Sequence, residues 1–402
     1  LDLPEDYRNA MRANRYVWEL GLQGYRSEYG RTTPFALSFA SGYSIIQEDS
    51  QKPDWNRESS PLRQQLFLSA SALDGSTPIS TGSPPFERLK EDILGCSPAG
   101  FSAASMLWIP PCRSSAPLRG AFTGREGFSK TLIFSHYKMT PLAFTYLLCH
   151  EAKCRLKPSH QELPFDDRAR LIIWCRTYIG GLSHHPAVTK QLEVLLMDLF
   201  SGSYGMAAVR SVYPAAVCPD YVQAVSRYAE DGCLYDVLDE YLELLLAEKN
   251  GQSWEAAAVL KQVRELQIAR PKLLLYKNSV VTSEERPADN KFAVGLFSEQ
   301  ENADTERRMA KIRLAFNSPF LPFVFTSTSI GTEGIDLHWY ARNVVHWSIP
   351  RRPMDLEQRE GRVLRFNCHA FRLNQGLIEA RQSSPDAVPV QESDAIRAPW
   401  LG

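Results

Sequence analysis

The chain has almost no net charge. Its 402 residues carry 45 Lys and Arg against 46 Asp and Glu, a formal charge of -1 at pH 7. No protein-wide field draws it to nucleic acid or to an acidic surface, so an anionic partner has to be met by a local basic patch. Apolar runs of about 18 or more residues, the length of a membrane span, are absent, as is a basic-then-apolar leader pattern, and no membrane partner is expected. Eight cysteines are present, but they form neither a C-x-x-C pair nor a regularly spaced disulfide framework. That excludes a small secreted scaffold and points to a reducing, cytoplasmic setting. No internal repeat of solenoid length occurs. The first residue is Leu1 and not methionine, and the expectation from this is a piece of a longer protein.

What is there suits a globular protein. An apolar fraction of 44% suffices for the cores of two or three ordinary domains. Residues 4–29 mix apolar and charged side chains at helical spacing ahead of Gly30, predicting one or two helices. Residues 69–85 (SASALDGSTPISTGSPP) bury too little apolar surface to offset ordering and predict an exposed loop. The character then changes. TLIFSHY (131–137) is a β-rich run, and Thr140 and Pro141 open the helical pattern that follows it. From 162 to 268 one helical pattern succeeds another. Strand patterns return at KLLLYK (272–277), at 292–298, at 322–329 and at 343–349, with a charged helix (NADTERRMAKIRLAFN) among them. Alternating strands and helices predict an α/β layer, here interrupted by a long helical insertion.

Two segments concentrate chemistry. In FVFTSTSIGTEGIDLHWYARNVVHWSIP (323–350) a strand ends in Thr326, Ser327, Thr328 and Ser329, followed by Gly331, Glu333, Gly334 and Asp336. Hydroxyls and free backbone N–H groups at a strand end hold phosphate oxygens, glycine lets the backbone approach, and Asp336 can accept from a ribose hydroxyl. The plainer alternative is a strand and an ordinary glycine turn. In QREGRVLR (358–365), Gln358, Arg362 and Arg365 stand at i, i+4 and i+7, which places them on one face of a helix. Two guanidinium forks aimed at one point are what a transferring phosphoryl group requires. A solvated helix face is the alternative. Arg351 and Arg352, between strand and helix, are placed for phosphate contact. His338, Trp339, His346 and Trp347 offer stacking surfaces for bases or filling for a core, and for Trp347 the core is favoured.

The stretch 316–374 resembles the last signature motifs of superfamily 2 helicases, in particular Swi/Snf-related bacterial helicases. TSTSIGTEGID is similar to motif V and QREGRVLR to motif VI, while KTLIFSHYKMTPLAFTYLLCHEAK (130–153) resembles motif IV and its helix. The resemblance implies a RecA-like parallel-sheet three-layer α/β domain; to it the residue patterns add a large all-helical insertion and a helical N-terminal region, neither of which carries a family motif. It implies that Arg365 is an arginine finger, that Arg362 contacts phosphates, and that Gln358 is their polar neighbour. Gly331, Glu333, Gly334 and Asp336 would border the nucleotide, and Ser135, Lys138, Thr326 and Ser327 would face a nucleic-acid backbone. The implied cofactor is ATP with Mg2+, the metal held by a first RecA-like domain acting in cis or in trans. The implied partners are that domain and nucleic acid, DNA in preference to RNA, with the helical insertion free to dock a protein. Restriction or phage defence is the usual setting of such bacterial helicases.

The chain lacks the G-x-x-x-x-G-K-[ST] loop and the acidic pair that such a motor needs. GREGFSKT (124–131) imitates the loop, but its Gly-to-Lys spacing is wrong and it leads into a strand instead of following one. The chain alone is therefore expected not to hydrolyse ATP, activity belonging to the full protein or complex. The competing reading is a non-catalytic, helicase-like binding or scaffold subunit. The expected division is an N-terminal region 1–115, a RecA-like domain 116–158 plus 288–380, a helical insertion 159–287 and a tail 381–402. Cys149, Cys154, His184 and His185 lack the spacing of a zinc site, and no metal is expected on this chain.

Overall fold

The computed structural model describes residues 76–79, 84–113, 116–135, 140–158, 162–182, 186–268, 272–277, 282–287, 290–296, 303–328, 336–350 and 352–382. The helices expected within 4–29 lie outside the described residues. So does most of the expected loop at 69–85, although Pro84 and Pro85 prove to open the first described helix, α1 (Pro84–Leu94). Among the described residues of 95–129 there is no further α-helix, only two short 3-10 turns.

The strand β1 (Lys130–Ser135) is buried along its whole length. Its β-branched and aromatic residues suit a strand covered on both faces. After it comes α2 (Thr140–Leu156), and then the helical segment α3 (Phe165–Ile179), α4 (Pro186–Ser201), α5 (Ser203–Val212), α6 (Tyr221–Asp231), α7 (Leu234–Glu248) and α8 (Ser253–Ile268). Asp220 caps α6, its carboxylate accepting from the N–H groups of Val222 and Gln223. The long helical pattern at 220–251 is broken between α6 and α7. There the Gly232 carbonyl accepts from the Trp108 indole, the ring atoms of Phe122 and Trp108 fill the space a side chain at Gly232 would need, and Cys233 takes a left-handed φ of 48°.

A small antiparallel hairpin, β2 (Lys272–Lys277) with β3 (Thr282–Pro287), stands apart from the main sheet. The chain then returns with β4 (Ala293–Leu296), α9 (Ala303–Phe316), β5 (Val324–Thr328), β6 (Ala341–His346), α10 (Pro353–Glu360) and α11 (His369–Gln382). The main sheet is parallel in the order β4-β5-β1-β6. Side chains alternate between its faces. Ile133 and Val324 join a core built from α1, α2 and the helical segment, whereas Leu132, Phe134 and Phe325 meet Met309, Ile312 and Phe316 of α9, together with Leu337 and Val363. Helices on both faces of a parallel sheet make the three-layer, RecA-like α/β architecture that the sequence predicts.

Close approach holds β4 to α2. A Cβ at Gly295 would lie 2.4 Å from the Pro141 carbonyl oxygen and 2.6 Å from Thr145 Oγ1, so only glycine fits this crossing. The helical segment is not a separate globule, because its apolar face, residues 86–122 and one face of the sheet form a single continuous core.

Candidate functional site

Two segments come together beside the sheet: residues 336–340, leading into β6, and residues 361–369, between α10 and α11. Leu337 N donates to the Arg362 carbonyl at 3.0 Å, and His369 N donates to the His338 carbonyl at 2.8 Å. Across this ladder Arg365 Nε bonds Asp336 Oδ1 at 3.0 Å, with both side chains partly open to solvent. Asn317, just past α9, fixes the first segment from behind. Its amide donates to the Asp336 carbonyl at 2.9 Å, and its Oδ1 accepts from Trp339 N.

The helical phase expected for QREGRVLR does not survive. The helix α10 ends at Glu360, and the chain continues in tight turns in which Arg362 N bonds the Arg359 carbonyl and Val363 N the Glu360 carbonyl. The physical reason is Val363, which is buried in the core under the sheet beside Leu132, Phe134 and Leu337 and draws the chain out of its helix. Gln358 is therefore on the helix, while Arg362 and Arg365 are on the turns that follow. Gln358 and Arg365 are exposed and Arg362 is half-buried.

The third arginine, Arg359, is the buried residue of α10. Its Nη1 donates to the Ser348 carbonyl at 3.0 Å and its guanidinium lies 5.4 Å from the Phe134 ring centre. Burial lowers its pKa. It bolts α10 to the carboxyl ends of β1 and β6. Beside it His346 stacks on Phe134 and stands 3.4 Å from Glu360. Burial, then the Arg359 charge, lowers the His346 pKa.

The other expected residues fall into three groups. Ser135, Thr326 and Ser327 are buried: Ser135 Oγ bonds Thr140 Oγ1 at 3.1 Å, Ser327 Oγ bonds the Thr328 carbonyl at 2.9 Å, and Thr326 Oγ1 is enclosed without a partner. Their side chains, as placed, face the protein and not solvent. His338 is half-buried next to Asp336, and burial lowers its pKa. Arg352 is exposed at the cap of α10. Lys138, Gly331, Glu333, Gly334 and Arg351 lie outside the described residues. Trp347 packs edge-on against Phe144, with centroids 4.9 Å apart. Cys154 Sγ lies 3.3 Å from His150 Nε2, but no group of three or more His, Cys, Asp and Glu able to hold a metal occurs among the described residues.

Lys130 of GREGFSKT is used internally. Its ammonium is buried, donates to the carbonyls of Ala315 and Phe320, and lies 5.1 Å from the Phe316 ring centre. It opens a strand and does not cradle phosphate.

Sequence reasoning missed Arg359, Asn317, Arg372 and Glu240. Arg372 is buried on α11. It donates from Nε to Glu240 Oε1 at 3.0 Å, from Nη1 to the Asn367 carbonyl at 3.0 Å and from Nη2 to the Trp339 carbonyl at 2.7 Å. Burial pulls the guanidinium pKa down, but Tyr340, Cys112 and Glu240 outweigh it and hold the pKa above its usual value. Only the Arg359 position stood within a motif; the others carry no local signal.

With this geometry established, comparison with known proteins gives one match. Residues 259–367 match the model of the helicase conserved C-terminal domain. This part of the chain is similar to a helicase-type C-terminal domain, and the Asp336–Arg365 pair lies within the matched segment. No curated protein and no solved structure gives a match. Among the described residues no single helix is long and apolar enough to cross a membrane.

Proposed function

We propose that the chain supplies the second RecA-like half of an ATP-dependent nucleic-acid motor, a helicase or translocase of superfamily 2 related to the Swi/Snf group. The observation that carries this reading is the ladder that brings Arg365 and Arg362 beside Asp336 within the helicase-type segment. Arg365 is exposed and always charged, so it is available to a phosphate presented by a facing domain. Arg362 stands on the same turns. Asp336 offers a carboxylate to a ribose hydroxyl once Arg365 has moved to phosphate. The described residues form no magnesium site, and the metal belongs in this reading to a first RecA-like domain acting in cis or in trans. Closure of the two halves completes the charge stabilisation of the transferring phosphoryl group.

The nucleic acid in this reading is DNA, the setting is cytoplasmic and bacterial, and defence against phage is a fitting role. The test is Arg365→Ala in the full protein, with its first motor domain present. An arginine finger contributes about 10³-fold or more to turnover, so nucleic-acid-stimulated ATPase should fall by that order while nucleic-acid binding persists. An unchanged rate would instead support a non-catalytic scaffold subunit. The chain alone should show no turnover, because it holds no phosphate-cradling loop.

A further inference from the structure

Resting on that reading, we infer that Glu240 and Arg372 are positioning residues for the nucleotide site, so that the helical segment sets the geometry of the arginine turns. The argument begins from cost. A buried ion pair gains little over apolar residues of the same shape, because both ions lose their water, and its best-attested return is a fixed geometry. Here both side chains are buried, Glu240 at 6% exposure and Arg372 at 3%.

What they fix is specific. One guanidinium holds the carbonyl of Trp339, three residues after Asp336, and the carbonyl of Asn367, two residues after Arg365. Its face lies 5.3 Å from the Tyr340 ring centre. Asn367 is in the left-handed region at φ 57°, so the turn that carries Arg365 is bent where Arg372 grips it. Glu240, on α7, orients the guanidinium through Oε1 and is itself held through Oε2 by the N–H of Cys112 at 2.7 Å. The distance between Asp336 and Arg365 is thus referred, through one cation, to a helix far away in sequence. One turn further along the same face of α11 the packing is equally close-set, for a Cβ at Gly376 would lie 1.9 Å from the Cys112 carbonyl oxygen.

The experiment uses the full protein with its first motor domain, and compares Arg372→Lys, the single variants Glu240→Gln and Arg372→Ala, and the double variant Glu240→Leu with Arg372→Met. Single variants leave one buried group unpaired and can fail to fold; the double variant removes both charges and keeps the volume. It should fold with native cooperativity, yet lose about 10²-fold in kcat. The KM for ATP should hold, because a finger acting in the transition state lowers kcat. Arg372→Lys should recover thermal stability without kcat, since one ammonium lacks the planar fork. Hydrogen exchange on the present chain should quicken at 337–340 and 362–369 in the double variant and nowhere in β1 or β5. A folded double variant with wild-type kcat, or with unaltered exchange in those two segments, overturns the inference. Absence of ATPase from the wild-type protein counts against the motor reading alone, and the exchange result then decides whether the pair positions the two segments.

Discussion

Arg365 and Asp336, 29 residues apart in sequence, are bonded to each other at 3.0 Å with 49% and 39% of their side chains exposed. An ion pair so open to water is worth about 0–1 kcal/mol and is screened by salt. The arginine is therefore held in reserve and not locked. Asp336→Asn should move the midpoint of denaturant unfolding by no more than that amount, read from urea titration by tryptophan fluorescence. A loss several times larger would mean that the pair is structural.

Acid should destabilise the protein chiefly through the buried His369. His369 is buried, and its pKa is lowered from 6.5 to about 3, by burial first and then by the Arg372 and Arg342 charges. His338 and His346 are shifted down as well. A base with a lowered folded pKa is protonated first in the unfolded chain. Stability is then full above the unfolded pKa and is lost as pH falls through it. Between pH 7 and pH 5, His369 alone should cost about 2 kcal/mol. Thermal midpoints measured across that window should decline, and His369→Gln should flatten the slope whatever it does to the midpoint at pH 7.

Lys130 predicts a large effect away from the site. Its ammonium serves two buried carbonyls and an aromatic face, and burial pushes its pKa well below the usual lysine range. Lys130→Ala leaves a cavity and takes a donor from each carbonyl, a loss of about 2–4 kcal/mol. Equilibrium unfolding of the variant checks this. Nucleotide-dependent readouts should change only in proportion to the folded fraction.

Gly295→Ala tests the layer contact between β4 and α2. The added methyl meets main-chain oxygen at 2.4 Å, which side-chain rotation cannot relieve. An overpacking loss of about 1–3 kcal/mol is expected, with exchange accelerated first at β4, which among the described residues is one of the two edge strands.

The sheet was legible because a fully covered parallel strand must be an apolar run: KTLIFS and VFTST read as strands before any coordinates are known. TSEERP did not, since its sequence is polar up to the closing Pro287, and its strand shows in the pairing with KLLLYK. The family motifs pointed to Asp336, Arg362 and Arg365, but the helical face drawn through QREGRVLR was wrong, because local spacing says nothing of Val363 reaching the core under β1. Glu240 and Arg372 were invisible for a simpler reason. Their bond spans 132 residues, and nothing near either one announces the other. The helical segment read as an insertion, and the core it shares with the sheet cannot be seen in periodicity, which reports that a face is apolar and not what covers it.

The central strand of the sheet has a consequence for synthesis. Lys130, its first residue, bonds Phe320, 190 residues later, and β1 has neither of its strand neighbours until β5 and β6 have been made. At about 5–20 residues per second, the ribosome leaves this strand, buried along its whole length in the finished fold, unpaired for roughly 10–40 s. Through that interval residues 86–122, already made, and the helices made in between share a core with it and can shelter it. Until β5 and β6 arrive, the strand is open on every round of translation to whatever protease or chaperone reaches it first.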